Sequence, residues 1–283
     1  MKRIFSAFLL TTFIFSSVFT TSFAEDNHVH NWSDWEVGEY SDCQSQGYEY
    51  RYCYDCEVSE ERKLPLLGHE WSAWETSRAA TPYKAGNKFR YCEVCYKEQN
   101  KSIPKRKLTA KQKKAIKTVK TYLGAAKKYN VNKMNKCFKS KKSKHGYPTA
   151  KYYKKLFKKY NKKIKWKFVD ATGKGNTVKV KVKVTRPDFY SQFYKAFYKT
   201  CTWYLSHQKV SNKALGNYFD KKAKQYTKKC KKTTYTETVT FTVVKTKKGW
   251  KIKNKSMAIV DIACGYMNEA VEDASNSFVE DYS

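Results

Sequence analysis

A gapless repeat with a period of 39 residues fills the first third of the chain. His30-x-Trp32-Ser33-x-Trp35-Glu36 returns as His69-x-Trp71-Ser72-x-Trp74-Glu75, and Gly47 returns as Gly86. Arg51-Tyr52-Cys53-x-x-Cys56 returns as Arg90-Tyr91-Cys92-x-x-Cys95, and Pro65 as Pro104. A unit of this size does not bury a core of its own, because below about 40 residues a fold needs metals, disulfides or a partner. The units are therefore expected at residues 25–67 and 68–107, each held by thiols and imidazole rather than by apolar burial.

A C-x-x-C turn presents two thiolates from one tight bend, and a third Cys with a His completes a tetrahedral zinc site. The first unit offers His30, Cys43, Cys53 and Cys56, a full Cys₃His set. The second offers only His69, Cys92 and Cys95, because Pro82 stands where the first has Cys43; it would need water or a borrowed ligand. Disulfides are the alternative in an oxidising compartment, and three cysteines plus two complete neither scheme. Any metal here reads as structural zinc. No βαβ pattern surrounds either C-x-x-C, which disfavours a redox role. His28 reads as a surface residue. The paired tryptophans read as a mini-core, with a sugar-stacking platform as the sharper alternative. The pattern resembles short repeats of secreted and surface proteins of low-GC Gram-positive bacteria, over residues 28–107. The resemblance implies accessory modules without known catalysis; Pro82 and the copy number of two are its departures.

Residues 1–24 have the form of a signal peptide. Lys2 and Arg3 precede the apolar stretch 4–19, and Ser22-Phe23-Ala24 sets small residues for cleavage after Ala24. No Cys follows to make a lipobox, and no later stretch approaches the ~20 apolar residues that span a bilayer. The mature chain is expected to be secreted. The formal charge of +33 is distributed in blocks. Residues 25–100 carry net −7, residues 101–260 carry net +44 with only Asp170, Asp188, Asp220 and Glu237 as acids, and the tail from Asp261 carries −6. Such a body attracts polyanions. Lys outnumbers Arg 51 to 7, and Arg supplies the planar fork for base recognition, so sequence-specific nucleic-acid binding is not expected.

Residues 108–283 read as one basic domain after a Lys-rich linker at 100–108. Thr109-x-x-Gln112 is a capping box, followed by Ile116, Val119, Leu123 and Ala126 at helical spacing. Val131, Met134 and Phe138 suggest a short helix, and Tyr153, Leu156, Phe157 and Tyr160 another. The period then changes to two. Ile164, Trp166 and Phe168 alternate with lysines, as do Val178, Val180, Val182 and Val184, across a Gly173-Lys174-Gly175-Asn176 turn. Helices are expected over 188–206 and through Leu215, Phe219, Ala223 and Cys230. A second hairpin turns at Lys248-Gly249, and a closing helix spans 259–272. Cys137, Cys201, Cys230 and Cys264 fall in or beside helices, and two disulfides clamping the helical layer are the favoured arrangement.

This order gives an α+β fold, two small Cys-containing repeats followed by a helix-covered, curved antiparallel sheet. The Tyr122-to-Phe138 run, the Thr177–Val184 strand and the Lys-x-x-x-Gly-Trp-Lys-Ile hairpin ending at Ile252 resemble nuclear transport factor two-like (cystatin-like) domains. The likeness is narrower to their extracytoplasmic versions in Gram-positive bacteria, over residues 109–265. It implies a sheet curled into a cone that leaves a pocket for an unknown small ligand, used catalytically in some relatives. Here Asp170, Asp188, Asp220, Glu237, His145 and His207 show no paired spacing. They read as caps or solvated charges, with Asp188 an N-cap and Glu237 on the outward face of its strand. The expected role is a non-enzymatic, envelope-associated binding protein, the alternative being a small-molecule enzyme using the cone. Two lysine rows on the outer sheet face, Lys163, Lys165, Lys167 and Lys179, Lys181, Lys183, joined by Lys251 and Lys253, are the candidate polyanion contact. The partners expected are anionic wall polymer such as teichoic acid, or anionic lipid.

Overall fold

The computed structural model describes residues 29–140, 143 and 145–282. The expected signal peptide and His28 lie outside the described residues. The chain divides into two compact units, residues 29–71 with 92–97, and residues 72–91 with 98–282. The second repeat, expected as one segment at 68–107, is thus shared: its knuckle belongs to the first unit and its sheet to the second.

In the first unit β1 (Glu36–Glu39), β2 (Tyr48–Tyr52) and β3 (Ser59–Lys63) form an antiparallel sheet in that order. The outer two strands are exposed throughout and β2 is at most half-buried, so the sheet encloses no core. Its tryptophans are clad by cations instead. The Arg51 guanidinium lies 4.6 Å from the Trp32 ring and 4.8 Å from Trp35, and Arg62 lies 4.2 Å from Trp35. Gly47 is required sterically, since a Cβ there would meet the Glu39 carbonyl oxygen at 2.1 Å.

The second unit opens with the matching sheet of β4 (Glu75–Arg78), β5 (Gly86–Tyr91) and β6 (Glu98–Ile103). Its bulge between Thr76 and Arg78 repeats the one between Val37 and Glu39. The stretch 100–108 is not a free linker. It contains the end of β6 and then Arg106, which donates to the Ala80 oxygen at 2.8 Å and pairs with Asp170 at 2.5 Å.

The basic body follows as α1 (Ala110–Lys127), α2 (Val131–Lys136), α3 (Lys151–Tyr160), β7 (Lys165–Thr172), β8 (Thr177–Asp188), α4 (Tyr190–Leu205), α5 (Asn212–Lys229), β9 (Thr233–Thr246), β10 (Gly249–Ile252), α6 (Met257–Cys264) and α7 (Met267–Tyr282). The capping box on α1 forms as expected, Thr109 Oγ1 accepting from the Gln112 amide and Gln112 Oε1 from the Thr109 amide. The four strands run β10-β9-β8-β7, all antiparallel. Val178, Val180, Val182 and Val184 of β8 and Phe241 of β9 are buried beneath α1 and α6. Each such side chain contributes about 1.5–3 kcal/mol of burial free energy. Buried Asn161 ties those two helices together, its amide donating to the Ala126 and Ala263 oxygens at 2.9 Å each.

Two expectations change. The closing helix is two helices, because Gly265 (φ 57°) and Tyr266 (φ 66°) both adopt left-handed backbone that ends α6. The sheet's inner face carries the buried Val180, Val182, Val184 and Phe241. Among the described residues no disulfide forms, and Cys137, Cys201, Cys230 and Cys264 are free thiols. The sequence reading also missed Arg186, which is fully buried at the end of β8. Its guanidinium pairs with Glu237, lies 3.5 Å from the Tyr266 ring centroid and donates to the Ala258 oxygen. Glu237 therefore shares the inner face; the outward parity belongs to Thr236, Thr238 and Thr240.

Removing one member of a buried pair leaves the other charge uncompensated, whereas replacing both with apolar groups is often neutral. Glu237→Leu is expected to lower stability by about 3 kcal/mol, read by urea unfolding followed through helical circular dichroism. Arg186→Met with Glu237→Leu is expected to recover most of that loss.

Candidate metal centres and basic sheet face

The repeat motif acquires a residue-by-residue explanation in the first unit. Trp32 bridges to Cys53 and Trp71 to Cys92 as isolated antiparallel pairs, which sets each histidine–tryptophan strand beside its knuckle. Each histidine then packs on its tryptophan, His30 to Trp32 at 4.8 Å and His69 to Trp71 at 4.9 Å between ring centroids. That contact holds the imidazole over the second cysteine of C-x-x-C. The Cys56 Sγ–His30 Nδ1 distance is 3.5 Å, and the Cys95 Sγ–His69 Nδ1 distance is 3.4 Å.

Cys43 does not join its own repeat. Its Sγ lies 3.8 Å from that of Cys92, and it clusters with His69, Cys92 and Cys95, all ligand atoms within 4.8 Å of one another. Among the described residues the first repeat brings His30, Cys53 and Cys56 together on the same criterion. Cys43, expected with His30, Cys53 and Cys56, instead makes a four-donor cluster with the second repeat's residues. The reason is local. The Leu67 amide donates to the Asp42 oxygen at 2.9 Å, folding the approach to His69 against the Cys43 turn.

The separations fit a tetrahedral ion. Zinc bonds of about 2.3 Å to sulfur and 2.0–2.1 Å to nitrogen give ligand–ligand edges of about 3.8 Å between sulfurs and about 3.6 Å from sulfur to nitrogen. A disulfide requires sulfurs about 2.05 Å apart. The thiols also divide by acidity. Burial works against ionising Cys92, yet the Cys95 and Val94 amides, His69 and Cys95 bring it down to about 6. Cys43 is pushed up to about 12 by its hydrogen bond to Cys95, then by burial and by Cys92.

In the second unit the outer face of the four-stranded sheet is basic. Lys179, Lys181 and Lys183 are exposed along β8, alternating with the buried valines, and Lys165 and Lys167 are exposed on β7. The register sets Lys167 directly opposite Lys183, and Asp170, after a bulge, opposite Lys181. Beyond them Lys179, Lys181 and Lys183 face Thr242, Thr240 and Thr238 of β9. Three of the expected lysines lie off these rows. Lys163 sits in the 3-10 turn before β7, Lys253 follows β10, and Lys251 is half-buried with its Nζ donating to the Lys136 oxygen at 2.6 Å.

The carboxylates and histidines considered for catalysis are spread over different elements. Asp170 pairs with Arg106, Asp188 accepts from the Tyr190 amide at 2.9 Å, and Asp220 accepts from Tyr153 Oη at 2.6 Å. His207 Nδ1 lies 2.9 Å from the Trp203 oxygen. His145 reaches a cleft of about 660 Å³, lined largely by apolar groups of α4, α5 and α7 such as Phe197, Leu215, Phe219 and Met267. This cleft lies among the helices, and nothing in the sequence periodicity signalled it. Among the described residues no helix is long and apolar enough to cross a membrane.

No family model matches the chain. No curated protein matches it. Among solved structures it is similar to a candidate lipoprotein of Bacillus subtilis, ycdA, at 10% identity over 85% of this chain and 94% of that one, with a TM-score of 0.31. At that distance both fold and role rest on this chain's own residues.

Proposed function

We propose that this is a secreted, non-enzymatic binding protein of the cell envelope, whose basic domain holds an anionic wall polymer or anionic membrane surface on its outer sheet face. The observation that carries the reading is the β8 row. Strand geometry places Lys179, Lys181 and Lys183 two residues apart, about 6.6–6.8 Å along the strand, with a threonine ladder on one side and Lys165 and Lys167 on the other. Point charges in such a row attract a repeating phosphate polymer diffusely and without base recognition. The dispersed placement of the domain's carboxylates and histidines supports a binding role over the small-molecule enzyme. The signal-peptide form of residues 1–24 and the two resemblances in the sequence support the envelope.

In the same reading the cluster of Cys43, His69, Cys92 and Cys95 holds a structural zinc ion that ties the two repeats together. Structural zinc contributes its binding free energy to folding.

Two measurements test these points. Retention of the mature protein on immobilised poly(glycerol phosphate) is expected to fall steeply with salt. Lys→Gln at 179, 181 and 183 together is expected to reduce the slope of log affinity against log salt by about 2, at roughly 0.7–0.9 for each phosphate no longer neutralised. The same change at Lys113, Lys114 and Lys117, exposed on α1, should leave most of the slope. Equal reductions from both triples, or retention that persists in molar salt, would contradict the sheet-face assignment. For the metal, Cys43→Ser and Cys92→Ser are expected to abolish the same tightly held zinc equivalent, measured by elemental analysis after gel filtration. Loss of different equivalents would overturn the shared cluster.

A further inference from the structure

Three helices of the second unit enclose an apolar cleft that plays no part in the sheet-face reading. α4 packs against both α5 and α7. Phe197 meets Phe219 at 5.9 Å and Tyr198 meets Phe278 at 5.8 Å between ring centroids. Each helix lends the cleft an apolar pair one turn apart: Phe197 and Cys201 from α4, Leu215 and Phe219 from α5, Met267 and Val271 from α7. All six are half-buried, so the fold leaves a continuous apolar lining partly open to water. Buried Thr200 lies at its base, and exposed Tyr204 and Asn276 mark its mouth. A volume of about 660 Å³ falls in the range of about 300–1,000 Å³ typical of small-molecule sites, which combine an apolar lining with a few polar groups.

A second observation points the same way. Gly216 lies inside α5, where glycine weakens a helix relative to alanine. Among the described residues a Cβ there would meet no neighbouring atom within 4 Å, so packing does not ask for glycine. Gly216 lines the cleft, and its missing side chain widens it. Charge narrows the ligand further. Glu272 contributes to the lining, on a helix whose residues 267–282 hold five acids and no Lys or Arg. An anionic head would meet like charge at that wall, and a cation would approach through the field of the +44 body.

We propose that this cleft is a binding site for an uncharged, apolar small molecule, whose rings or hydrocarbon chain cover the half-buried side chains and pass close to the α5 backbone at Gly216. Removal of that apolar surface from water drives the binding. The site does not depend on polyanion binding at the sheet face.

N-phenyl-1-naphthylamine, an uncharged dye that brightens in apolar surroundings, tests the site on the full mature chain. One saturable equivalent is expected. Gly216→Leu introduces a good helix former whose side chain enters the cleft. Helical circular dichroism should be retained and the melting temperature not lowered, while dye affinity falls about tenfold or more. In the unmutated chain, saturating dye should slow alkylation of Cys201 by N-ethylmaleimide several-fold, followed by peptide mass spectrometry. Alkylation of Cys230, which does not line the cleft, should be unchanged. The sulfonated dye of the same skeleton, 1-anilinonaphthalene-8-sulfonate, should leave Cys201 unprotected. Affinity unaltered by Gly216→Leu, or Cys201 unprotected by the uncharged dye, would overturn the site. Equal protection by both dyes would overturn its preference for an uncharged ligand. Dye affinity that weakens as protein concentration rises would give the cleft to a second copy of the chain and overturn the small-molecule assignment.

Discussion

The first unit depends on a constraint of size. Its strands expose nearly everything they carry, and its tryptophans lie under guanidinium groups rather than inside a core. What is buried there is chiefly sulfur: Cys43, Cys53 and Cys92 are among its few enclosed side chains. Too little apolar surface leaves water there to offset chain entropy, and in the proposed zinc reading ligand binding supplies the balance. In that reading Cys43 shares one ion with the second knuckle, all within the first unit.

In the second unit β8 plays the dividing role. Its even-numbered side chains from Val178 to Arg186 enter the core, and Lys179, Lys181 and Lys183 stay in water. One strand thus supplies the centre of the apolar core and the centre of the basic face. At its far end the inward parity brings Arg186 against Glu237 and the Tyr266 ring. The two left-handed residues Gly265 and Tyr266 make that meeting sterically possible, for a Cβ at Gly265 would press within 2.8 Å of Phe189. Charge of one sign on the outer face is tolerable because the lysines are hydrated and flank threonines along most of β9.

Much of this was legible in the sequence where a local rule sufficed. The change of period from 3.6 to 2, the Gly-containing turns and the Thr109 box fixed most elements of the body, and the α+β class followed. Glu237 and Arg186 were legible in principle, since strict parity puts Glu237 with Val239, Phe241 and Val243, and Arg186 with the valines of β8. The run of threonines drew attention to the wrong face. Gly265 after Cys264 likewise carried a helix-ending signal. The partner of Cys43 was not legible, because a repeat offset states which residues correspond and says nothing about which ones meet. Pro82 hinted at it, as the one ligand position that the second repeat does not fill from within.

Cadmium-113 NMR of the mature protein tests the passing of Cys43 most directly, because scalar coupling from the metal to cysteine Hβ protons identifies which thiolates share an ion. One resonance is expected to correlate with Cys43, Cys92 and Cys95, and a second with Cys53 and Cys56. Correlation of Cys43 with the ion held by Cys53 and Cys56, or cysteines joined in disulfides with no cadmium bound, would contradict the arrangement.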